Sequence, residues 1–141
     1  MSNKPTIEVQ NLSPLGIIAT IFKDYKIVER IDSLLPKTSN NQKITHGEAV
    51  MGMILQGLGF TNHRLFLSAE FFSHVALTGI FRPGFKAEYF NSHAFSRTLD
   101  AIYEYSLARF FTDSCLKTIL KHKLLSRSIF IDTTSFHKVP A

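Results

Sequence analysis

Residues 45–60 read THGEAVMGMILQGLGF, and this stretch decides the fold. Its opening, Thr45 to Glu48, fits the capping box, in which the Thr hydroxyl accepts from the third helical amide and the Glu carboxylate reaches back to the cap amide. The residues that follow are apolar nearly all round a helix and include three glycines, which allow neighbours to approach closely or end a helix. We therefore expect a buried helix at the centre of the core.

Helical patterns precede this stretch. Ser13 followed by Pro14 is typical of a helix start, and Asp24 is placed to cap a second short helix. We expect the two helices to form a hairpin, joined to the central helix by the polar residues 36–43. The predicted inward faces are Ile17, Ile18, Ile21 and Phe22 in the first helix, and Ile27, Ile31, Leu34 and Leu35 in the second.

Further helices are predicted after the centre. Two short ones meet near Ser73 and stop at the turn Arg82-Pro83-Gly84, and a brief element covers residues 86–90. Asn91 offers a cap for a longer helix, and another follows Ser106. The predicted inward residues are Phe95, Leu99, Ile102 and Tyr103 in the first of these, and Leu107, Phe110, Phe111, Cys115, Ile119 and Leu120 in the second, whose outer face carries Arg109, Asp113, Lys117 and Lys121.

The periodicity changes at residues 128–132, SIFID, a continuous apolar run with β-branched and aromatic residues. It predicts a buried strand, yet no other convincing strand occurs, and a lone strand leaves its amide groups unpaired. The expected fold is mainly α, a compact multi-helix domain at residues 1–127, followed by one C-terminal orphan β-strand within residues 128–141.

Composition excludes several classes of protein. The 141 residues hold one cysteine and no signal peptide or membrane-spanning run, so we expect a protein of the reducing cytoplasm, without membrane or disulfide framework. The formal net charge is +5, and residues 105–141 carry six basic against two acidic groups. Such a concentration favours a polyanion partner, although a solvated helix face is the simpler alternative.

Asp132 is the candidate catalytic or metal-holding residue. A carboxylate at the end of a buried apolar strand is costly unless it binds a metal, pairs with a charge or meets water; the alternative is an ordinary turn-initiating Asp. The six histidines lack zinc-site spacing and are expected at caps or on the surface. Cys115 is expected to be a buried structural thiol.

The combination of THGEAVMGMILQGLGF, RLFLSAEFF, SRTLDAIYE and SIFIDTTSF resembles the amino-terminal part of a group of bacterial insertion-sequence transposases of the DDE type. The similarity runs from about Leu15 to His137. In that group a helical domain of unknown function precedes an RNase H-like catalytic core. The resemblance implies that SIFIDTTSF is the first strand of that core and that Asp132 is the first of three metal-holding acids.

Two divalent ions, Mg²⁺ or Mn²⁺, are implied for the full-length family, where they activate the nucleophile and stabilise the leaving oxygen. The chain ends nine residues after Asp132, so the other two acids are expected to be missing and no metal is expected to bind this fragment. A truncated or frameshifted gene, or a deliberately shortened polypeptide, would end this way. The fragment is expected not to be catalytically competent alone.

Two hypotheses of function follow. The first is contribution to element-end DNA binding or transposase assembly, with DNA contacts from Lys117, Lys121, Lys123 and Arg127. The alternative is an interaction or homodimerisation module without direct DNA contact, which predicts partly exposed apolar faces at residues 50–60 or 66–72. Neither hypothesis involves a small-molecule substrate.

Overall fold

A computed structural model describes residues 15–37, 39–58 and 67–125, in which all regular elements are helical. The mainly helical, multi-helix prediction is confirmed; the predicted strand at 128–132 and the domain boundary at 127 lie outside the described residues. None of the helices in the described ranges is long and apolar enough to cross a membrane.

The elements are α1 Leu15–Asp24, α2 Ile27–Leu34, α3 His46–Gly57, α4 Ser68–Ser73, α5 Leu77–Ile80, a 3₁₀ turn Ala87–Tyr89, α6 Ser92–Tyr105, α7 Leu107–Phe111, a π-helical turn Thr112–Leu116 and α8 Lys117–Lys121.

Helix α3 lies at the centre, as predicted. The capping box is complete: the Thr45 hydroxyl accepts from the Glu48 amide at 3.0 Å, and the Thr45 amide donates to Glu48 Oε2 at 2.9 Å. The second oxygen of Glu48 pairs with Arg82 Nε at 2.7 Å, which ties the start of α3 to the turn after α5. Both α2 and α6 pack against α3. The local capping motif therefore places the element around which the other helices assemble.

Aromatic side chains fill much of the core. Phe72, Phe90 and Phe95 are fully buried, and the Phe90 ring lies against Gly52 of α3, where a side chain would occupy the same space. A smaller cluster, made of Ile31, Leu35, Val50, Ile102 and Phe110, joins α2, α3, α6 and α7. This second cluster fixes the position of the last helices relative to α2.

The hairpin of α1 and α2 forms, but with two differences from the prediction. The buried residues of α1 are Leu15, Ala19 and Phe22, whereas Ile17 is 69% exposed. Phe22 is buried and Ile18 is partly buried as predicted, but Ala19 takes the place of Ile17 and Ile21 on the buried face that packs on α3 and α5. Asp24 ends α1 and does not cap α2; α2 follows Lys26, whose left-handed φ of 51° makes the turn.

The later helices begin where predicted but face differently. Asn91 caps α6 by accepting from the Ala94 amide at 3.0 Å. Phe95 and Ile102 are buried as expected, but Tyr103 is 85% exposed. The helical segment at 107–121, called the terminal rod below, comprises α7, the π turn and α8. It buries Phe110, Ser114 and Thr118 in place of most of the predicted apolar set.

Candidate nucleic-acid interface

An open groove of about 490 Å³ lies between α2 and the terminal rod, and is called the basic groove below. Four Lys or Arg side chains and one His line it against two carboxylates. The lining residues are Tyr25, Lys26, Glu29, Arg30, Ser33, Leu34, Asp113, Lys117, Thr118, Lys121 and His122.

A hydrogen bond to the π turn joins the two walls of the groove. Arg30 Nη1 donates to the backbone carbonyl of Asp113 at 3.0 Å, across 83 positions of sequence. On the buried side, the Ser114 hydroxyl donates to the Phe110 carbonyl at 2.5 Å and the Thr118 hydroxyl to the Ser114 carbonyl at 2.7 Å. Ser and Thr hydroxyls inside helices commonly bond in this way to the carbonyl four residues back.

Asp113 is the charged centre of the rod side of the groove. Its carboxylate lies 2.5 Å from Lys117 Nζ and 3.6 Å from Arg109 Nε, and it accepts from the Tyr105 hydroxyl at 2.9 Å. The hydrogen bond from Lys117, followed by that from Tyr105, holds the pKa of Asp113 below its ordinary value. Asp113 is therefore anionic at neutral pH, and it compensates the charge of Lys117. The predicted row of charges on this face is confirmed for these residues.

Other cations at the groove have no such partner. Within residues 15–37, 39–58 and 67–125, no carboxylate lies within 4.0 Å of the amines of Lys26, Lys121 or Lys123. Lys123 follows α8 with a left-handed φ of 55°. The amides of Lys123 and Leu124 bond back to the carbonyls of Leu120 at 3.2 Å and Ile119 at 2.9 Å, the Schellman pattern of a helix end.

The predicted DNA-binding residues are therefore only partly brought together. Lys117 and Lys121 line the basic groove, and Lys123 is exposed beyond the end of α8. Arg127 and Asp132 lie outside the described residues. Sequence reasoning missed Lys26, which precedes α2, and Arg30, which lies within α2. Nothing in the sequence pairs these residues with a rod more than eighty residues away.

No metal centre is found in the part of the chain that the structure describes: no group of three or more His, Cys, Asp or Glu side chains there is close enough to hold an ion. The described residues alone therefore do not form a site of that kind for the Mg²⁺ or Mn²⁺ that the resemblance implies.

Two predictions about isolated residues were wrong. His46 is 3% exposed, so it is neither a cap nor a surface group; its Nδ1 lies 2.9 Å from the Thr98 hydroxyl. Burial lowers the pKa of His46, and the nearby Arg97 acts in the same direction against the opposing effect of Asp32. Cys115 is exposed, because the rod turns Ser114 and not Cys115 toward the core.

The terminal rod also presents an exposed apolar face, called the apolar stripe below. Leu107 is 70% and Phe111 60% exposed, and exposed leucines continue along α8 and beyond. By contrast, the two segments predicted to stay partly exposed are largely covered in their described parts. Val50, Leu55 and Phe72 are buried, and the exposed apolar residues of that region are Ile54 and Leu58. The stripe consists of Leu107, Phe111, Leu116, Leu120, Leu124 and Leu125.

Comparison with known proteins relates the chain to one family model. Neither a curated protein nor a solved structure shows significant similarity to the chain. A family model described as a domain of unknown function, DUF4277, matches residues 7–116. The matched range contains α1 to the end of the π turn, including Asp113, and stops one residue before Lys117. Since this range covers well over half of the 141 residues, the chain belongs to the DUF4277 family.

Proposed function

We propose that this chain is the non-catalytic, amino-terminal part of an insertion-sequence DDE transposase and that it contributes to binding the DNA of the element ends. The basic groove is the observation that carries the DNA-contact proposal. The four sequence segments that resemble these transposases supply the biological setting. In this proposal Asp132 is the first of the three metal-holding acids.

The charges of the groove divide into two groups. Lys117 and Arg30 are engaged by Asp113, the first through its carboxylate and the second through its carbonyl, and they hold the wall in place. Lys26 and Lys121 in the groove, with Lys123 just beyond, remain available to phosphates. Neutralising DNA phosphates with such side chains releases counterions, which supplies most of the free energy of non-specific binding.

Glu29 opposes this interaction. It lines the groove as an exposed carboxylate, and within the described ranges no ion pair compensates it. A phosphate entering the groove is repelled by this charge. We therefore expect Glu29→Gln to strengthen binding of duplex DNA, a gain of function that damage to the fold does not produce.

Fluorescence anisotropy with a labelled, mixed-sequence DNA duplex tests the proposal. The test variant is Lys26→Gly with Lys123→Gly, which removes two charges at left-handed positions that glycine adopts readily. The control is Lys86→Gln, an exposed lysine outside the groove that pairs with Glu88 at 3.6 Å. We expect the double variant to bind at least tenfold more weakly and the control to match the parent. Equal binding by all three would reject the groove as the DNA contact.

The apolar stripe favours a second candidate function, assembly with another protein chain or a second copy. Exposed apolar residues that form a contiguous patch commonly mark interaction surfaces. Leu107→Ser with Phe111→Ser would shift a dimer to monomer in light scattering while leaving the helical circular dichroism unchanged. A chain that is strictly monomeric at high concentration would count against self-association through the stripe.

A further inference from the structure

A second cationic cavity, of about 270 Å³, lies between the loop before α3 and the first turn of α6. It is called the α6 cavity below. Three basic or imidazole side chains line it together with two side-chain amides, and no carboxylate does. The lining residues are Asn41, Lys43, Ile44, Tyr89, Asn91, His93, Ala94 and Arg97.

Arg97 distinguishes this cavity from the rest of the surface. Among the arginines that the structure describes, Arg30 donates to the Asp113 carbonyl, Arg82 to Glu48 and the Lys43 carbonyl, and Arg109 pairs with Asp113. Arg97 makes no hydrogen bond or ion pair within those ranges, even though Asp100 lies three positions further along α6. Its guanidinium is thus left without an anion at the mouth of a cavity.

The neighbouring groups suit the same kind of ligand. The Lys43 ammonium is also unpaired within the described ranges, and His93 faces the cavity from the first turn of α6. An arginine fork matches two oxygens of a phosphate, whereas a lysine supplies a point charge. The amino-terminal end of α6 carries the positive end of the helix dipole, which adds to the positive electrostatic potential of these side chains. The volume is several times the about 30 Å³ of a water molecule, so a phosphate fits with its hydration.

We propose that the α6 cavity is a binding site for a phosphate group, held by Arg97, Lys43 and His93. The site is separate from the basic groove, and it does not depend on the function proposed above. A phosphate of a nucleic-acid backbone and a free phosphate ion share the chemistry that these side chains recognise.

Nuclear magnetic resonance of the ¹⁵N-labelled full chain tests the site. One arm titrates inorganic phosphate at constant ionic strength set with chloride, and the other titrates a mixed-sequence DNA duplex. Arg97→Gln is the test variant, because the Arg97 side chain is exposed and makes no hydrogen bond or ion pair within the described ranges, and Lys86→Gln is the control. We expect saturable shifts of the His93 and Lys43 amides with phosphate, and a weakening of about tenfold or more in Arg97→Gln, as for removal of a hydrogen bond to a charged group.

The two arms separate the sources of the phosphate. If the duplex shifts the same amides and Arg97→Gln weakens that binding too, the site holds a nucleic-acid backbone; if only inorganic phosphate does so, it holds a free phosphate. Unsaturable shifts, or identical titrations of the parent and Arg97→Gln, would overturn the site. The Lys26→Gly and Lys123→Gly variant changes only the basic groove, so a failure of that groove is recognised separately.

Discussion

Two lysines beside the basic groove adopt left-handed backbone conformations, with φ of 51° at Lys26 and 55° at Lys123. This conformation costs an L-amino acid roughly 1–2 kcal/mol, and glycine is the usual residue at such a helix end. A lysine at either position therefore makes the fold less stable than a glycine would, but it adds a positive charge to the surface. This arrangement is consistent with a surface whose positive charge is more important than the stability of the two helix ends.

Replacing Lys123 tests that interpretation at the level of one residue. We expect Lys123→Gly to leave the free energy of unfolding unchanged or raise it by up to about 1 kcal/mol, because glycine relieves the left-handed strain. Lys121→Gly, two residues earlier and inside α8, should lower it by up to about 1 kcal/mol because glycine has a low helix propensity. Urea unfolding measures both, and a clear loss of stability in Lys123→Gly would show that the terminal turn is not built as described.

The carboxylate of Asp113 has a pKa below its ordinary value of 3.8, chiefly because of the hydrogen bonds from Lys117 and Tyr105. Its anionic form is therefore favoured by folding, and its contribution to stability is present above about pH 4 and is lost as pH falls through the lowered pKa. We expect Asp113→Asn to be less stable than the parent at neutral pH, with the gap closing in acid.

Urea unfolding of both chains across this pH range measures the gap directly. Burial raises the pKa of Asp32, so the effect of Asp32 on stability has the opposite pH dependence. Asp32 is present in both proteins, so this effect cancels when their stabilities are compared. A gap that stays constant down to the most acid pH would contradict the ionic role of Asp113.

At the scale of elements, two glycines of α3 differ in whether the surrounding structure has room for a side chain. A Cβ on Gly52 would overlap the buried Phe90 ring, with Cζ of that ring 2.9 Å away, whereas nothing lies within 4 Å of a Cβ on Gly57. We expect Gly52→Ala to lower the free energy of unfolding by about 1–3 kcal/mol through overpacking. Gly57→Ala should raise it by about 0.5–1 kcal/mol through helix propensity. Thermal unfolding that gives the two variants the same sign would contradict the packing of α3 on Phe90.

The elements themselves could be predicted because their signals are local. The capping box at Thr45 and the cap at Asn91 lie within one turn of the helices that they begin. Buried faces were harder to predict, since α1 and the terminal rod each carry more apolar residues than one face requires. In the rod, the core receives Ser114 and Thr118, whose hydroxyls bond to carbonyls four residues back, and leaves Phe111 outside. The spacing of apolar residues in the sequence does not predict that these two polar side chains are buried while Phe111 is exposed.

The candidate site could be predicted only on its rod side for a similar reason. Lys117 and Lys121 stand out in sequence because the charge near the carboxyl end is concentrated. The opposite wall comes from Lys26 and Arg30, and their position depends on packing of α2 between α3 and the rod. Tertiary contacts between distant segments, and not local pattern, create the groove.

At the scale of the whole molecule, the cationic side chains that lack a partner within residues 15–37, 39–58 and 67–125 lie in two places, the basic groove with its rim and the α6 cavity. Elsewhere in the described ranges, several cations are engaged within the fold, as Arg82 is with Glu48 and Lys23 with the Gly79 carbonyl. The proposed contacts with DNA and with a second protein rest on these open charges and on the apolar stripe.

The salt dependence of DNA binding is the most direct measure of the proposed role. The logarithm of the binding constant of the full chain for a mixed-sequence duplex is followed from about 50 to 200 mM salt, where phosphate contacts give a linear decrease. We predict that Lys26→Gly with Lys123→Gly reduces the slope by about two, close to one for each phosphate-binding lysine removed, while Lys86→Gln leaves it unchanged. Absence of binding at about 50 mM salt, or the same slope for all three proteins, would contradict the account.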